Sequence, residues 1–197
     1  MESRITERYG VHILKDAANR YNVCSENLRK LGGFESFIFK YQQNSRGYIL
    51  RIAHSLRRSE KLIKAEVEWI RYLAAKGVSV ADAVLSAHGN LVESIQDGHG
   101  GFFLVTAFKE VAGKPPFVLG WTPELFFEYG SLMGRIHRLT KEYSPLDSSI
   151  QRPLWDSSEM NDDVLKNLPL DKPEAKQRYQ EIVTHLNSLP KGIDDFD

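Results

Sequence analysis

A carboxylate inside the apolar stripe of a helix, and a guanidinium on a neighbouring strand, are the two groups in this 197-residue chain whose placement demands chemistry. In "SEKLIKAEVEWIRYLAAKG" a helical step of about 100° puts Glu66 within about 60° of Leu62, Ile63, Ile70 and Leu73, with Glu68 on the polar side. An unpaired carboxylate in that stripe costs several kcal/mol or takes up a proton, so it calls for a cation or a set of hydrogen-bond donors. Arg51 is the natural cation. Strand alternation in "YILRIAH" sets Ile49, Arg51 and Ala53 on one face and Tyr48, Leu50 and Ile52 on the other. Upstream, "LGGFES" at Leu31 to Ser36 carries paired glycines, Gly32 and Gly33, which let backbone N–H groups approach an anion. Each feature also has a bland reading: a tight hairpin turn, an arginine on a solvated strand face, an ion pair that only holds a core.

Together they form the phosphate-handling half of a kinase-like site. The cation grips nucleotide phosphates, the helix carboxylate holds the cation, and Ile49 on the Arg51 face covers an adenine ring. No G-x-G-x-x-G dinucleotide fingerprint and no G-x-x-x-x-G-K-[ST] phosphate loop occurs in the chain.

The elements that must position these groups follow from the same patterns. "ITERYGVHILKDAANRY" spaces Ile5, Tyr9, Ile13 and Ala17 as one amphipathic helix. "NLRKL", "FIFKY" and "YILRIAH" read as an antiparallel meander, the last two joined through "QQNSRG". Ser59 caps the long helix that carries Glu66, and Gly77 lies just past its end. "AVLSA", "LVESI" and "GFFLVTAF" read as three further strands. The stretch 109–120, with Gly113, Pro115, Pro116 and Gly120, has linker chemistry. Beyond it, "TPELFFEYGSLMGRIHRLTKEY" has Thr122 at the cap, Pro123 in the first turn, and Leu125, Tyr129, Leu132, Ile136 and Leu139 on one face. "DKPEAKQRYQEIVTHLNSL" predicts a second helix with Tyr179, Ile182, Leu186 and Leu189 inward.

Composition narrows the classes. Lys plus Arg and Asp plus Glu balance at 26 each, which gives no positive field to draw nucleic acid or an anionic membrane surface. The best apolar run, Phe102 to Phe108, is far short of the roughly 20 residues that span a bilayer, so no membrane partner is expected. A lone Cys24 fits a reducing, cytoplasmic setting.

In linear order these motifs resemble the aminoglycoside phosphotransferase-like, or choline-kinase-like, small-molecule kinases. "LGGFES" resembles their nucleotide loop, "YILRI" their third strand, "KAEVEWIRYLAAKGVSV" their long N-lobe helix, "GFFLVTAFKEVAGK" their interlobe hinge, and "GSLMGRIHRLTKEY" the first large C-lobe helix. The resemblance implies an α+β, protein-kinase-like fold: an N-lobe over 1–108, a hinge over 109–120 and a partial helical C-lobe over 121–197. It implies ATP as the nucleotide, covered by Gly32, Gly33, Phe34, Glu35 and Ser36. Arg51 takes the place of the usual lysine, with Glu66 as its ion-pair partner. Backbone near Ala107, Phe108 and Lys109 would bind adenine, and an unidentified small hydroxylated molecule would be the acceptor. Ala81 departs from an expected proline.

The family's catalytic loop, H-x-D-x-x-x-x-N, and the metal-binding acid after it supply the base and the Mg²⁺ ligands. None of the six histidines begins H-x-D, so a chain ending before that loop would bind nucleotide without transferring phosphate. His137, with Gly130 and Gly134, lies on a small-residue helix face suited to close packing. "KGIDDFD" at Lys191 to Asp197 follows a Pro/Gly turn rather than an apolar strand, so its aspartates read as a polar connection and not as metal ligands. The alternatives are a non-catalytic, kinase-derived nucleotide-binding or protein-interaction module, and a purely structural module.

Overall fold

The computed structural model describes residues 2–114, 118, 120–147 and 173–189, and divides into two compact units, Met1–Gln151 and Arg152–Asp197. The first unit is built on an antiparallel sheet of β1 (Arg29–Leu31), β2 (Phe37–Gln43), β3 (Arg46–His54), β4 (Ala83–Val84), β5 (Glu93–Gln96) and β6 (Phe102–Lys109). Their order is β1-β2-β3-β6-β4, with β5 also on β6. The β2–β3 hairpin turns through Asn44 and Ser45, both at positive φ (51° and 61°), as a two-residue turn matched to strand twist requires.

Strand alternation gives the sheet two different faces. One carries Phe37, Phe39, Tyr41, Leu50, Ile52, Phe103, Val105 and Ala107 into a core with Ile5, Ile13, Ala17 and Tyr21 of the N-terminal helices. Each fully buried side chain there contributes about 1.5–3 kcal/mol. The other face meets α3 (Glu60–Ala75) through Leu104, Phe108, Ile63 and Val67. β6 is buried on both faces from Phe103 to Phe108, which explains its apolar run, broken only by Thr106.

The single N-terminal helix expected from periodicity is two, α1 (Ser3–Thr6) and α2 (Val11–Asn19). Gly10 breaks it in an extended conformation, and Tyr9 before the break stacks on Phe37 at 3.8 Å. Ile5, Ile13 and Ala17 still reach one core. The strand expected at "AVLSA" shrinks to Ala83–Val84, because Ser86 leaves the ladder to bind a buried carboxylate.

Ser59 does cap α3, accepting a hydrogen bond from the Leu62 N–H at 3.3 Å, and Gly77 leaves the helix at φ 75°. Glu68, expected on the polar side, is half-buried rather than fully solvated. α4 (Pro123–Lys141) packs on α3, with Leu73, Val78 and Leu139 forming a small core and Trp69 donating to Thr140 Oγ1 at 3.0 Å. One Glu68 carboxylate oxygen is buried without a hydrogen-bond partner among the described residues. Thr122 caps α4 as expected, accepting from the Leu125 N–H at 3.2 Å. His137, Gly130 and Gly134 are exposed, with no described segment packed on the small-residue face.

In the second unit the described element is α5 (Pro173–Ser188). On its expected inward face Ile182 is 55% exposed, and Leu189, one residue past the helix, is 41% exposed; no described residue of the helix is buried. An amphipathic pattern encodes a preference for an apolar partner without supplying one. "KGIDDFD" lies outside the described residues. No described helix is long and apolar enough to cross a membrane.

Candidate functional site

β3 and α3 bring Arg51 and Glu66 together across the α3 face of the sheet. Arg51 Nη1 donates to Glu66 Oε1 at 2.7 Å, and Arg51 Nε donates to Thr106 Oγ1 at 3.1 Å from the paired position on β6. The guanidinium lies 5.1 Å from the centroid of the Phe108 ring, a cation–π distance. These contacts lock the side chain, yet Nη2 is buried with no hydrogen-bond partner among the described residues. A buried unsatisfied donor costs about 1–3 kcal/mol, more when charged, and an arriving anion would relieve it. The residues present therefore fit a phosphate group.

The glycine turn folds over this point. Gly33 has to be glycine, because a Cβ there would sit 2.2 Å from the Ser36 carbonyl oxygen; Gly32 stands in open space. Phe34 at the tip is 81% exposed. Glu35 and Ser36 turn inward, and with Arg51, Arg57, Arg58 and Glu66 they line a cavity of about 130 Å³. Arg57 Nη2 donates to Glu35 at 3.1 Å, and Arg58 stands 3.5 Å from Glu35 and 3.2 Å from Glu66. Three guanidinium groups against two carboxylates leave the cavity one positive charge in excess. Arg57 and Arg58 escaped the sequence reading; the doublet in "SLRRSE", immediately before the helix cap, was the available signal.

Ile49 pairs with Phe108 across the sheet, two residues along the strands from the Arg51–Thr106 pair, so both side chains flank the cation on its own face. Ala107 points the other way, fully buried in the opposite core. The Lys109 N–H is already engaged with the Asp82 carbonyl at 2.8 Å, and its ammonium pairs with the Asp82 carboxylate. The structure thus gathers Glu35, Ser36, Arg51 and Glu66 in one hollow, with Ile49 and Phe108 beside it, while Ala107 faces the opposite core and the Lys109 N–H is held by Asp82.

Two other buried carboxylates serve the scaffold. Asp97 accepts from Arg8 (2.7 Å), His54 Nε2 (3.1 Å), and the N–H groups of His99 (2.7 Å) and Gly101 (2.8 Å). Burial pushes its acidity down, but these donors outweigh burial and hold the carboxyl well below the usual range. His54 is a neutral imidazole with its proton on Nε2, since Nδ1 accepts from the Leu56 N–H. Burial lowers its pKa against the opposing pull of Asp97. Glu93 is likewise buried and lowered by Ser86, Asn90, His88 and Arg20, which together outweigh burial. Among the described residues no group of three or more His, Cys, Asp or Glu is placed to hold a metal ion.

Residues 28–194 match the model of the phosphotransferase enzyme family. Amicoumacin kinase of Bacillus subtilis (strain 168) is 33% identical over 184 residues, covering 93% of this chain and 54% of that protein. An amicoumacin kinase solved in complex with AMP-PNP, Ca²⁺ and Ami superposes with a TM-score of 0.86 at 34% identity, covering 98% of this chain and 58% of the other. A microcompartment-associated aminopropanol kinase shares the fold (TM-score 0.61, 22% identity, 74% of this chain and 45% of the other). The same holds for a spectinomycin phosphotransferase solved with ADP and spectinomycin (TM-score 0.53, 14% identity, 79% and 44%). The chain spans little more than half the length of the amicoumacin kinases it matches. The fold is α+β and kinase-like, and the chain belongs to the phosphotransferase enzyme family.

Proposed function

We propose that this chain is the nucleotide-binding part of an ATP-dependent phosphotransferase acting on the hydroxyl of a small molecule. The observation that carries this reading is Arg51: clamped by Glu66 and Thr106, covered by Phe108, and left with one buried N–H group unpaired beneath a glycine turn. In this reading Gly32, Gly33, Phe34, Glu35 and Ser36 cover the phosphates, Arg51 grips them, Glu66 orients Arg51, and Ile49 and Phe108 flank the base. Backbone around Ala107 and Lys109 meets the adenine edge once the Lys109 N–H exchanges its Asp82 partner. Residues 1–108 act as the N-lobe, 109–120 as the hinge and 121–197 as part of the helical C-lobe, in a cytoplasmic protein.

Arginine in the lysine position changes the grip. A planar fork holds two phosphate oxygens at once, and its charge is permanent. A relative solved with AMP-PNP and Ca²⁺ supports nucleotide and a divalent cation as ligands, which we take to be ATP and Mg²⁺ here. The alternative is a kinase-derived nucleotide-binding module without catalysis.

Isothermal titration of the folded chain with ATP in magnesium buffer tests the binding step. A saturable heat that Arg51→Gln weakens at least tenfold is expected; a folded sample giving no heat would overturn the proposal. Label transfer from γ-labelled ATP to a panel of amino and hydroxyl acceptors then separates the two readings.

A further inference from the structure

We propose that Glu35 acts as an internal stand-in for phosphate, latching the glycine turn onto Arg57 and Arg58, and that nucleotide enters by displacing it and taking over those arginines. The inference rests on the nucleotide-binding reading above and adds two residues and a competition to it. Arg57 and Arg58 lie on the loop between β3 and α3, not on the strand or helix that carries the central ion pair. Arg57 donates to Glu35 at 3.1 Å, Arg58 stands 3.5 Å from Glu35, and Arg58 also reaches Glu66 at 3.2 Å. Arg58 therefore bridges the carboxylate of the turn and the carboxylate of the helix.

The chemistry of the exchange is straightforward. A carboxylate and a phosphate present the same pair of anionic oxygens to a guanidinium fork, so one can replace the other without rebuilding the donors. Glu35 is 47% exposed in its side chain, on a turn next to a fully open Gly32, so it can swing away. Arg57 keeps a second acid nearby, Glu2 at 3.6 Å, and Arg58 keeps Glu66, so neither is stranded when Glu35 leaves. Displacing Glu35 would leave Arg51, Arg57 and Arg58 facing one hollow, with Glu66 the one carboxylate left among its described lining residues. A polyphosphate matches that balance; a neutral nucleoside does not.

Titration of the full 197-residue chain with ATP and with adenosine, at one ionic strength, tests the latch through a double-mutant cycle. Glu35→Gln is expected to tighten ATP three- to tenfold and leave adenosine unchanged. Arg58→Gln is expected to weaken ATP at least fivefold, Arg57→Gln less. The decisive readout is coupling: in the Arg58→Gln background, Glu35→Gln should gain less than twofold, because there is little left to release. If Glu35→Gln leaves ATP affinity unchanged, or gains as much without Arg58 as with it, the latch is wrong while nucleotide binding stands. If neither the parent nor the Glu35→Gln variant binds ATP, both readings fall. ATP binding seen only after Glu35→Gln would be the strongest support.

Discussion

β3 presents two charged clusters to opposite sides of the sheet, and they are built to opposite specifications. Behind the sheet, Asp97 is fully buried in its side chain and saturated by four donors from three separate segments. On the α3 face, Arg51 and Glu66 are partly open, and Arg51 keeps an unpaired N–H. A buried polar network with every member satisfied rigidifies a fold; one with a vacancy is primed for a ligand. The contrast supports reading the rear cluster as scaffold and the Arg51 hollow as the proposed site.

The largest effect should come from the saturated side. Asp97→Ala leaves Arg8 and the 97–101 turn without their acceptor and should cost about 3–5 kcal/mol in urea unfolding, with ATP affinity of the folded fraction within twofold. A loss under about 1 kcal/mol would erase the contrast. Next, Arg51→Gln should reverse the balance: at least a tenfold loss of ATP affinity for only about 1–2 kcal/mol of stability, read by titration and unfolding on the same samples.

Acid should act through the rear cluster. The folded-state pKa values of His54 and Asp97 are both depressed, so in each case the unfolded chain binds more protons as pH falls. Stability is full above the ordinary His value of about 6.5, and it is lost first below that value, then again below about 3.9, where unfolded Asp protonates. Urea midpoints measured from pH 7 to 3 should fall along that course, and Asp97→Asn should flatten the lower limb. The smallest effect should be Ser59→Ala, about 1 kcal/mol from the lost cap of α3, with ATP affinity unchanged because Arg51 and Arg58 still hold Glu66.

The central ion pair was legible in the sequence because each partner's direction follows from local periodicity, two residues per strand repeat and 3.6 per helical turn. The glycine turn and the caps at Ser59 and Thr122 were legible for the same local reason. What escaped depended on distant segments or on no period at all. Asp97 looks like one more turn residue until Arg8 and His54 arrive from elsewhere in the chain. Glu68 looks solvated, yet one of its carboxylate oxygens is buried. Arg57 and Arg58 sit in a loop, where no repeat assigns a direction. Around α5, Ile182 and Leu189 show the converse: the pattern was clear, and the burial it implied is absent among the described residues.

Arginine at position 51 also has a consequence for detection. Nucleotides armed with an acyl phosphate tag their binders by acylating a lysine amine beside the phosphates, and that reaction needs a deprotonated nitrogen. A guanidinium stays protonated wherever proteins stay folded, and the described residues lining this hollow include three arginines and no lysine. At this hollow, amine labelling would meet no lysine among the described residues even with nucleotide bound.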